Sequence, residues 1–275
     1  MRWFGFAIVS ALVGVMSVPG YADDAAKKLP NNPPSEIAAP VNWTGFYIGG
    51  DIGGLSRKGS GTSDFFQTSE SAHTIQGQSS TSSSGAGGVY AGFNWQFAPS
   101  WVAGIEGDWQ WTHSQFSACR QTDTASLACT ENSRGFGAVG DDVRSFGTVR
   151  GRLGIAFDRM LVYGTGGVAF TEVRSSLGLD CVPNGCGSSA NPTTAAVESS
   201  TRKTGWVAGV GIERMFGQNW VIRAEYQHAD FGNLSNTLFL PTFNCFNNGV
   251  CGLSWSREMH FDIVRAGLSY KFGGF

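Results

Sequence analysis

From residue 43 onward, apolar and polar positions alternate with a period of two in eight separate runs, the mark of strands whose two faces meet different surroundings. The runs cover 43–55, 85–97, 101–113, 142–157, 160–174, 202–216, 219–231 and 257–272. In the third, Trp101, Ala103, Ile105, Gly107, Trp109 and Trp111 alternate with Val102, Gly104, Glu106, Asp108, Gln110 and Thr112. The seventh sets Trp220, Ile222, Ala224 and Tyr226 against Val221, Arg223, Glu225 and Gln227, and the eighth sets Val264, Ala266, Leu268, Tyr270 and Phe272 against Arg265, Gly267, Ser269 and Lys271. In the fourth, Val149, Gly151, Leu153 and Ile155 oppose Thr148, Arg150 and Arg152. The fifth is apolar on both parities, so its facing stays open.

Such alternation fits a soluble sandwich as well as a membrane barrel. The connections separate the two. Ala98-Pro99-Ser100, Asp158-Arg159 and Gly217-Gln218 join runs two to three, four to five and six to seven, whereas the other four links are roughly 20 to 30 residues long. Short turns at one end and long loops at the other predict an all-β fold: an eight-stranded antiparallel transmembrane β-barrel with short periplasmic turns and four long extracellular loops. Each run exceeds the roughly 9–11 residues a tilted strand needs to cross a bilayer. Phe97, Trp101, Phe157, Tyr163, Phe216, Trp220, Tyr270 and Phe272 gather at the short-turn end, and Trp109, Trp111, Trp206 and Tyr226 near the long-loop end. These are the places of two interfacial girdles.

Composition agrees with strands: 39 Gly, 20 Phe and 9 Trp, with charged residues at only 15%. Outside the N-terminal segment no apolar stretch is long enough for a membrane-spanning helix. A net charge of −2 without a basic stripe argues against nucleic acid as a partner. Residues 1–22, with Arg2, an apolar run and Gly20-Tyr21-Ala22, have the pattern of a cleaved signal peptide. Residues 23–42, rich in Pro and Ala, are expected to form a periplasmic linker, leaving 43–275 as the barrel. The expected location is the bacterial outer membrane, among its lipids and lipopolysaccharide.

The stretch Asn42-Trp43-Thr44-Gly45-Phe46-Tyr47-Ile48-Gly49-Gly50, together with the ending from Arg265 to Phe272, resembles the small porin-like, opacity-like barrels called outer-membrane immunogenic proteins of Gram-negative bacteria. The last strand is similar to the insertion signal that the barrel assembly machinery reads. Arg265, Gly267, Tyr270 and Phe272 fill its places, and the added Gly273-Gly274-Phe275 leaves either Phe272 or Phe275 as its end.

Eight strands enclose a lumen just wide enough for side chains to fill. The inward set includes Glu106, Asp108, Arg150, Arg152, Glu213, Arg223, Glu225, Arg265 and Lys271, a near-balance of charge. Two readings follow. Ion pairs plug the lumen, because buried charges must be paired, or a narrow ion path runs along them, as the resemblance to porin-like proteins implies. Six cysteines fall in three pairs, Cys119/Cys129, Cys181/Cys186 and Cys245/Cys251, one pair to a loop. Local disulfides suit an exported protein, with zinc as the rival for the Cys181/Cys186 spacing, although no His stands beside a pair. The Ser- and Thr-rich stretch from Arg57 to Ser84 is expected as a solvated loop, a place for an extracellular ligand but with no motif naming one.

Enzymatic chemistry would need a nucleophile beside a His and a carboxylate. His113, His228 and His260 fall near loop ends, with Asp230, Ser114 and Ser235 near in sequence, but no triad motif joins them. A haem or iron-compound receptor through His73 or His113 has only their exposure behind it. Gly49-Gly50 and Gly166-Gly167 lie in mid-strand with no helix to follow, which removes a nucleotide loop. The expectation is a non-enzymatic envelope protein without cofactor or metal that stabilises the outer membrane and displays its surface loops, with a narrow porin-like channel as the alternative.

Overall fold

A computed structural model describes residues 41–67, 70–121, 135–181, 193–245 and 249–273. Eight antiparallel strands close into a barrel in sequence order: β1 (Gly45–Gln67), β2 (Glu70–Gln96), β3 (Trp101–Gln121), β4 (Gly135–Phe157), β5 (Met160–Cys181), β6 (Thr193–Phe216), β7 (Trp220–Cys245) and β8 (Gly249–Phe272). β8 returns to pair with β1, Phe272 standing opposite Phe46, so the barrel has no free edge at its base. The segments expected as signal peptide and linker, up to residue 40, lie outside the described residues.

The two faces divide as charge requires. Ile52, Ile105, Val149, Val210 and Val264 are more than half exposed, facing the position of lipid, while the alternate residues turn inward. The fifth strand resolves in the same way, with Leu161, Tyr163, Ala169, Thr171 and Val173 inside and Val162, Val168 and Phe170 outside. Phe97, Trp101, Phe157, Phe216, Trp220 and Phe272 stand exposed at the short-turn end, and Trp109, Trp111, Trp206 and Tyr226 at the other. From Phe216 up to Trp206 is ten residues of β6, about 25 Å of height for a strand tilted by roughly 40°, which matches the apolar band of such barrels. Tyr163 corrects the expected girdle: its odd parity turns the ring into the lumen, where it is 3% exposed.

The strands do not end at the membrane. They are 21 to 27 residues long, and the stretch expected as a loop from Arg57 to Ser84 continues β1 and β2 as a paired ribbon up to Gln67 opposite Glu70. Apolar–polar alternation fades along this stretch, which is rich in Ser, Thr and Gly. The same extension corrects the expected placing of the cysteines in loops. Cys119 stands on β3 opposite Ala138, Cys181 ends β5 opposite Gly135 and Thr193, and Cys245 ends β7 opposite Gly249. Cys251 lies within β8, between Leu240 of β7 and Gln67 of β1.

Above the bilayer the barrel also parts along two seams. Pairing of β2 with β3 stops at Ala86 opposite Thr112, and pairing of β6 with β7 stops at Trp206 opposite Asp230, while the other six pairings run on to the far ends of their strands. The outer part is therefore two four-stranded sheets, β3–β6 and β7–β8–β1–β2. Side chains close the base of each seam. Ser84 Oγ lies 3.0 Å from Thr112 Oγ1, Ser82 donates to the Gln115 carbonyl, and Lys203 donates to the Asn233 carbonyl at 2.7 Å. Beside the second seam the β7–β8 ladder shifts register between Asp230 and Asn233, where Gly232 takes a φ of 68° that a Cβ would resist.

Candidate functional site

The lumen is built in layers, and β4 shows their order. From the periplasmic end its inward side carries Ala156, Arg152, Arg150, Thr148, Phe146, Val143 and Asp141, all buried. β7 repeats the sequence with Val221, Arg223, Glu225, Gln227, Ala229 and Phe231.

The central layer is ionic. Glu106 accepts from Arg150 Nη2 at 2.5 Å, from Arg223 Nη1 at 2.8 Å and from the Tyr47 hydroxyl at 2.8 Å, with Arg152 at 3.3 Å. Arg150 also reaches Asp108 at 2.8 Å and Glu225 at 2.9 Å. Arg152 pairs with Glu213 at 2.7 Å, and Arg265 joins Glu225 at 2.8 Å to Asp108 at 3.3 Å. Asp51 links Arg223 and Arg265, each at 3.2 Å. These side chains are between 0 and 5% exposed, so the charges are held out of water and meet one another instead. Isolated, any one of them would be prohibitively unstable there; in the lattice each charge meets opposite ones, while Asp51 Oδ1, Asp108 Oδ1, Arg152 Nε and Arg223 Nε are buried without a hydrogen bond.

Of the charges expected inside, the structure joins Glu106, Asp108, Arg150, Arg152, Glu213, Arg223, Glu225 and Arg265 in this lattice. Lys271 stands apart, donating to the Gly273 carbonyl at 2.9 Å near the periplasmic mouth. Asp51 was legible by the same parity rule, but a lone acid between Gly50 and Ile52 gave β1 little sign of a charged face. The lumen tyrosines carried no signal of their own. Tyr163 donates to Glu225, its ring lies 3.9 Å beneath the Arg152 guanidinium, and Tyr90 lies 3.3 Å beneath that of Arg223. Each ring rests on a neighbouring strand at a glycine, Tyr47 at Gly92, Tyr90 at Gly49 and Tyr163 at Gly211, where any Cβ would collide with it. The glycines therefore make room for the rings that fill the lumen.

Apolar layers lie on both sides of the lattice. Toward the periplasm Trp43, Val102, Ala156, Leu161, Met215 and Val221 pack together, with Trp43 1% exposed. Toward the outside a larger cluster includes Leu55, Phe146, Val173, Phe231, Trp255 and Phe261. Above it a second ionic group places Asp141 between Arg57 and Arg257, with Ser175 donating to the same carboxylate at 2.8 Å.

His113, His228 and His260 face outward at the rim, and the side chain of His73 lies outside the described ones. His228 Nδ1 lies 2.8 Å from Asp262, and His260 lies 3.5 Å from Asp230. The strand order runs His228, Asp262, Ser56, so the carboxylate stands between the imidazole and that hydroxyl. Ser114 is buried inside the barrel, whereas His113 is exposed, and Ser235 sits opposite Ser256, away from His228. Burial at the rim opposes ionisation of Asp262, but hydrogen bonds from His228, Tyr226 and Lys58 outweigh it and hold the carboxyl down to about 2.

The expected disulfides meet the register of the outer strands. Cys251 is not opposite Cys245: β8 sets Cys251 against Leu240 and Gly249 against Cys245, with the ladder shifting between Leu240 and Cys245. The Cys245/Cys251 bridge expected within one loop is therefore not one between directly opposed residues, because the ribbon of β7 and β8 reaches past both. Cys129 and Cys186, the expected partners of Cys119 and Cys181, lie outside the described residues, as does Phe275 at the end of the insertion signal. Of that signal, Arg265 faces the lumen and Phe272 is 52% exposed beside Tyr270, their rings 5.1 Å apart.

Comparison with known proteins agrees with this architecture. The model of the outer membrane protein beta-barrel domain matches residues 9–272. The 31 kDa outer-membrane immunogenic protein of Brucella melitensis biotype 1 is 30% identical over 266 residues, covering 96% of this chain and 98% of that protein. The 22 kDa outer membrane protein of Rhizobium leguminosarum bv. viciae is 27% identical, over 85% of this chain and 82% of the relative. Among solved structures, the outer membrane protein OprG from Pseudomonas aeruginosa aligns with 85% of this chain and 99% of its own at 11% identity, with a TM-score of 0.46.

Proposed function

The chain belongs to the outer membrane protein β-barrel family and resides in the outer membrane, and from that premise we propose that it is a structural, non-conducting barrel that stabilises the envelope and displays two sheets at the cell surface. The observation that carries this reading is the layering of the lumen. A buried lattice of ion pairs is enclosed between apolar layers built on Trp43 and Leu161 on one side and on Phe146 and Phe261 on the other. An ion following the charges would have to shed water twice, at the buried apolar side chains of each layer. The narrow channel expected as the alternative needs a continuous wet path, and these layers oppose it.

A non-enzymatic role is part of the same proposal. The His228–Asp262 pair has no serine on the open side of the imidazole in the strand register, and Ser114 is enclosed within the barrel. The sheets above the membrane, rather than a pocket in the lumen, are the surface available to partners.

Deleting the protein from its bacterium tests the reading. Periplasmic enzymes should leak and detergent sensitivity should rise, while uptake of small hydrophilic solutes stays at its former rate. A fall in uptake with an intact envelope would replace the structural reading with the channel.

A further inference from the structure

Above the bilayer the two seams leave four strand edges with no neighbouring strand among the described residues: β2 up to Gly85, β3 from His113, β6 up to Gly205 and β7 from Phe231. A bare edge is a row of unpaired N–H and C=O groups, and proteins ordinarily blunt it with charge, proline or a bulge. Three of the four are blunted. β3 shifts register against β4 between Trp111 and Ser114 and carries Arg120. β6 carries Glu198, Arg202 and Lys203, and β7 shifts register on both sides of the stretch from Asn233 to Leu240, with Pro241 following. β2 has none of these devices. From Thr74 to Gly85 it pairs with β1 in unbroken register, and this stretch holds neither charge nor proline.

One bond shows which backbone groups of β2 face the seam. Thr112 donates through Oγ1 to the Gly85 carbonyl at 2.9 Å, so Gly85 directs its carbonyl toward β3. In an antiparallel ladder the N–H and C=O of one residue share a side, and those of the next take the other. Ile75, Gly77, Ser79, Thr81 and Ser83 therefore present both groups to the open seam, while the residues between them bond to β1.

The facing bank is neutral as well: β3 reads Ser114-Gln115-Phe116-Ser117-Ala118-Cys119 before Arg120. At about 3.3 Å per residue the free edge from Thr74 to Gly85 is roughly 35 Å long, room for about ten residues of a partner strand. It starts just above Gly87, which pairs with the girdle residue Trp111, and so lies wholly on the extracellular side.

We propose that the free edge of β2 takes up an extended, uncharged segment of another polypeptide outside the cell. The segment adds antiparallel to β2 and continues above Ala86 the ladder that β3 makes with β2 below it. Main-chain bonds supply the recognition, and the neutral banks disfavour a charged strand. The proposal rests on the reading of two sheets standing free at the cell surface and is independent of whether the lumen conducts.

The test follows amide exchange along β2 by NMR, with the folded full-length barrel in detergent micelles. The probe is a capped peptide of about twelve residues in which Thr alternates with Val, both strong strand formers. Without it, the amides of Ile75, Gly77, Ser79 and Thr81 should exchange rapidly and those of Gln76, Gln78 and Ser80 slowly. Saturating peptide should slow the first set at least roughly tenfold. The same peptide N-methylated at two adjacent central residues, which spoils both of its edges, should bind roughly tenfold more weakly. Lysine in place of its Val should weaken it too. Thr81→Pro removes one N–H from the open side only, where an edge strand tolerates proline. The folded form on an unheated gel should persist, while peptide affinity falls by roughly tenfold. Rapid exchange that the peptide does not slow would overturn the proposal while leaving the sheets free, and so would unchanged binding by folded Thr81→Pro, by the methylated peptide or by the lysine peptide. Slow exchange of the first set without peptide would overturn the open seam as well, and protection that grows with protein concentration would give the edge to a second copy of the chain instead.

Discussion

Glu106→Ala is the sharpest perturbation of the closed lumen. Its carboxylate is 3% exposed and receives Arg150, Arg223, Arg152 and Tyr47 at once. Truncation leaves three guanidiniums in the same dry layer with one acceptor fewer. Arg150 keeps Asp108 and Glu225, Arg152 keeps Glu213, and Arg223 keeps Asp51, so none is wholly abandoned. Breaking a buried pair from one side costs about 3–5 kcal/mol, and the remaining partners place Glu106→Ala toward the lower part of that range. The assay is urea unfolding of the barrel in phospholipid vesicles, followed by the mobility difference between folded and unfolded protein on an unheated gel. A second variant, Glu106→Met with Arg150→Met, removes charge from both sides and should be less destabilised than the sum of its parts. If Glu106→Ala costs less than about 1 kcal/mol, the value typical of solvated pairs, water reaches the lattice and the reasoning fails.

Further outcomes follow from the same structure. Trp43→Ala opens the periplasmic apolar layer and should cost about 3–5 kcal/mol in that unfolding assay, with Trp43 packed at 1% exposure. Gly211→Val puts a branched side chain where the Tyr163 ring lies and should cost about 1–3 kcal/mol by overpacking. Asp262, held down to about 2 from an ordinary value near 4, contributes stability at the rim that is full above pH 4 and lost as pH falls through about 2; the ¹³C shift of its carboxyl should titrate there, and a midpoint near 4 would show that the hydrogen bonds from His228, Tyr226 and Lys58 do not form in solution. Along β2 between Glu70 and Gly85, amides directed away from β1 should exchange rapidly with solvent, while those of β1, flanked by β2 and β8, exchange slowly; uniform protection of β2 would mean the seam is closed.

How much of this was legible in the chain depended on whether two faces of a strand met unlike surroundings. Glu106 and Asp108 between Ile105, Gly107 and Trp109 could point only inward, and Arg223 with Glu225 obeyed the same constraint. Beyond the membrane that constraint disappears, so the Ser-rich continuation of β1 and β2 had the appearance of a loop, and so did the segment that carries Cys245 and Cys251. The apolar residues of the lumen were hidden for a related reason. Phe146, Val173 and Phe261 look like lipid-facing residues until register assigns their side, and β4 shifts register between Val143 and Phe146. The seams were beyond reach, because where β2 leaves β3 is a property of pairing between strands and not of either strand alone.

The central claim is that the lumen is closed, and single-channel recording in a planar bilayer tests it most directly. With the native barrel inserted, the layered lumen predicts a silent trace in molar salt at any ordinary voltage. Stable, reproducible conductance steps from the folded protein would contradict it.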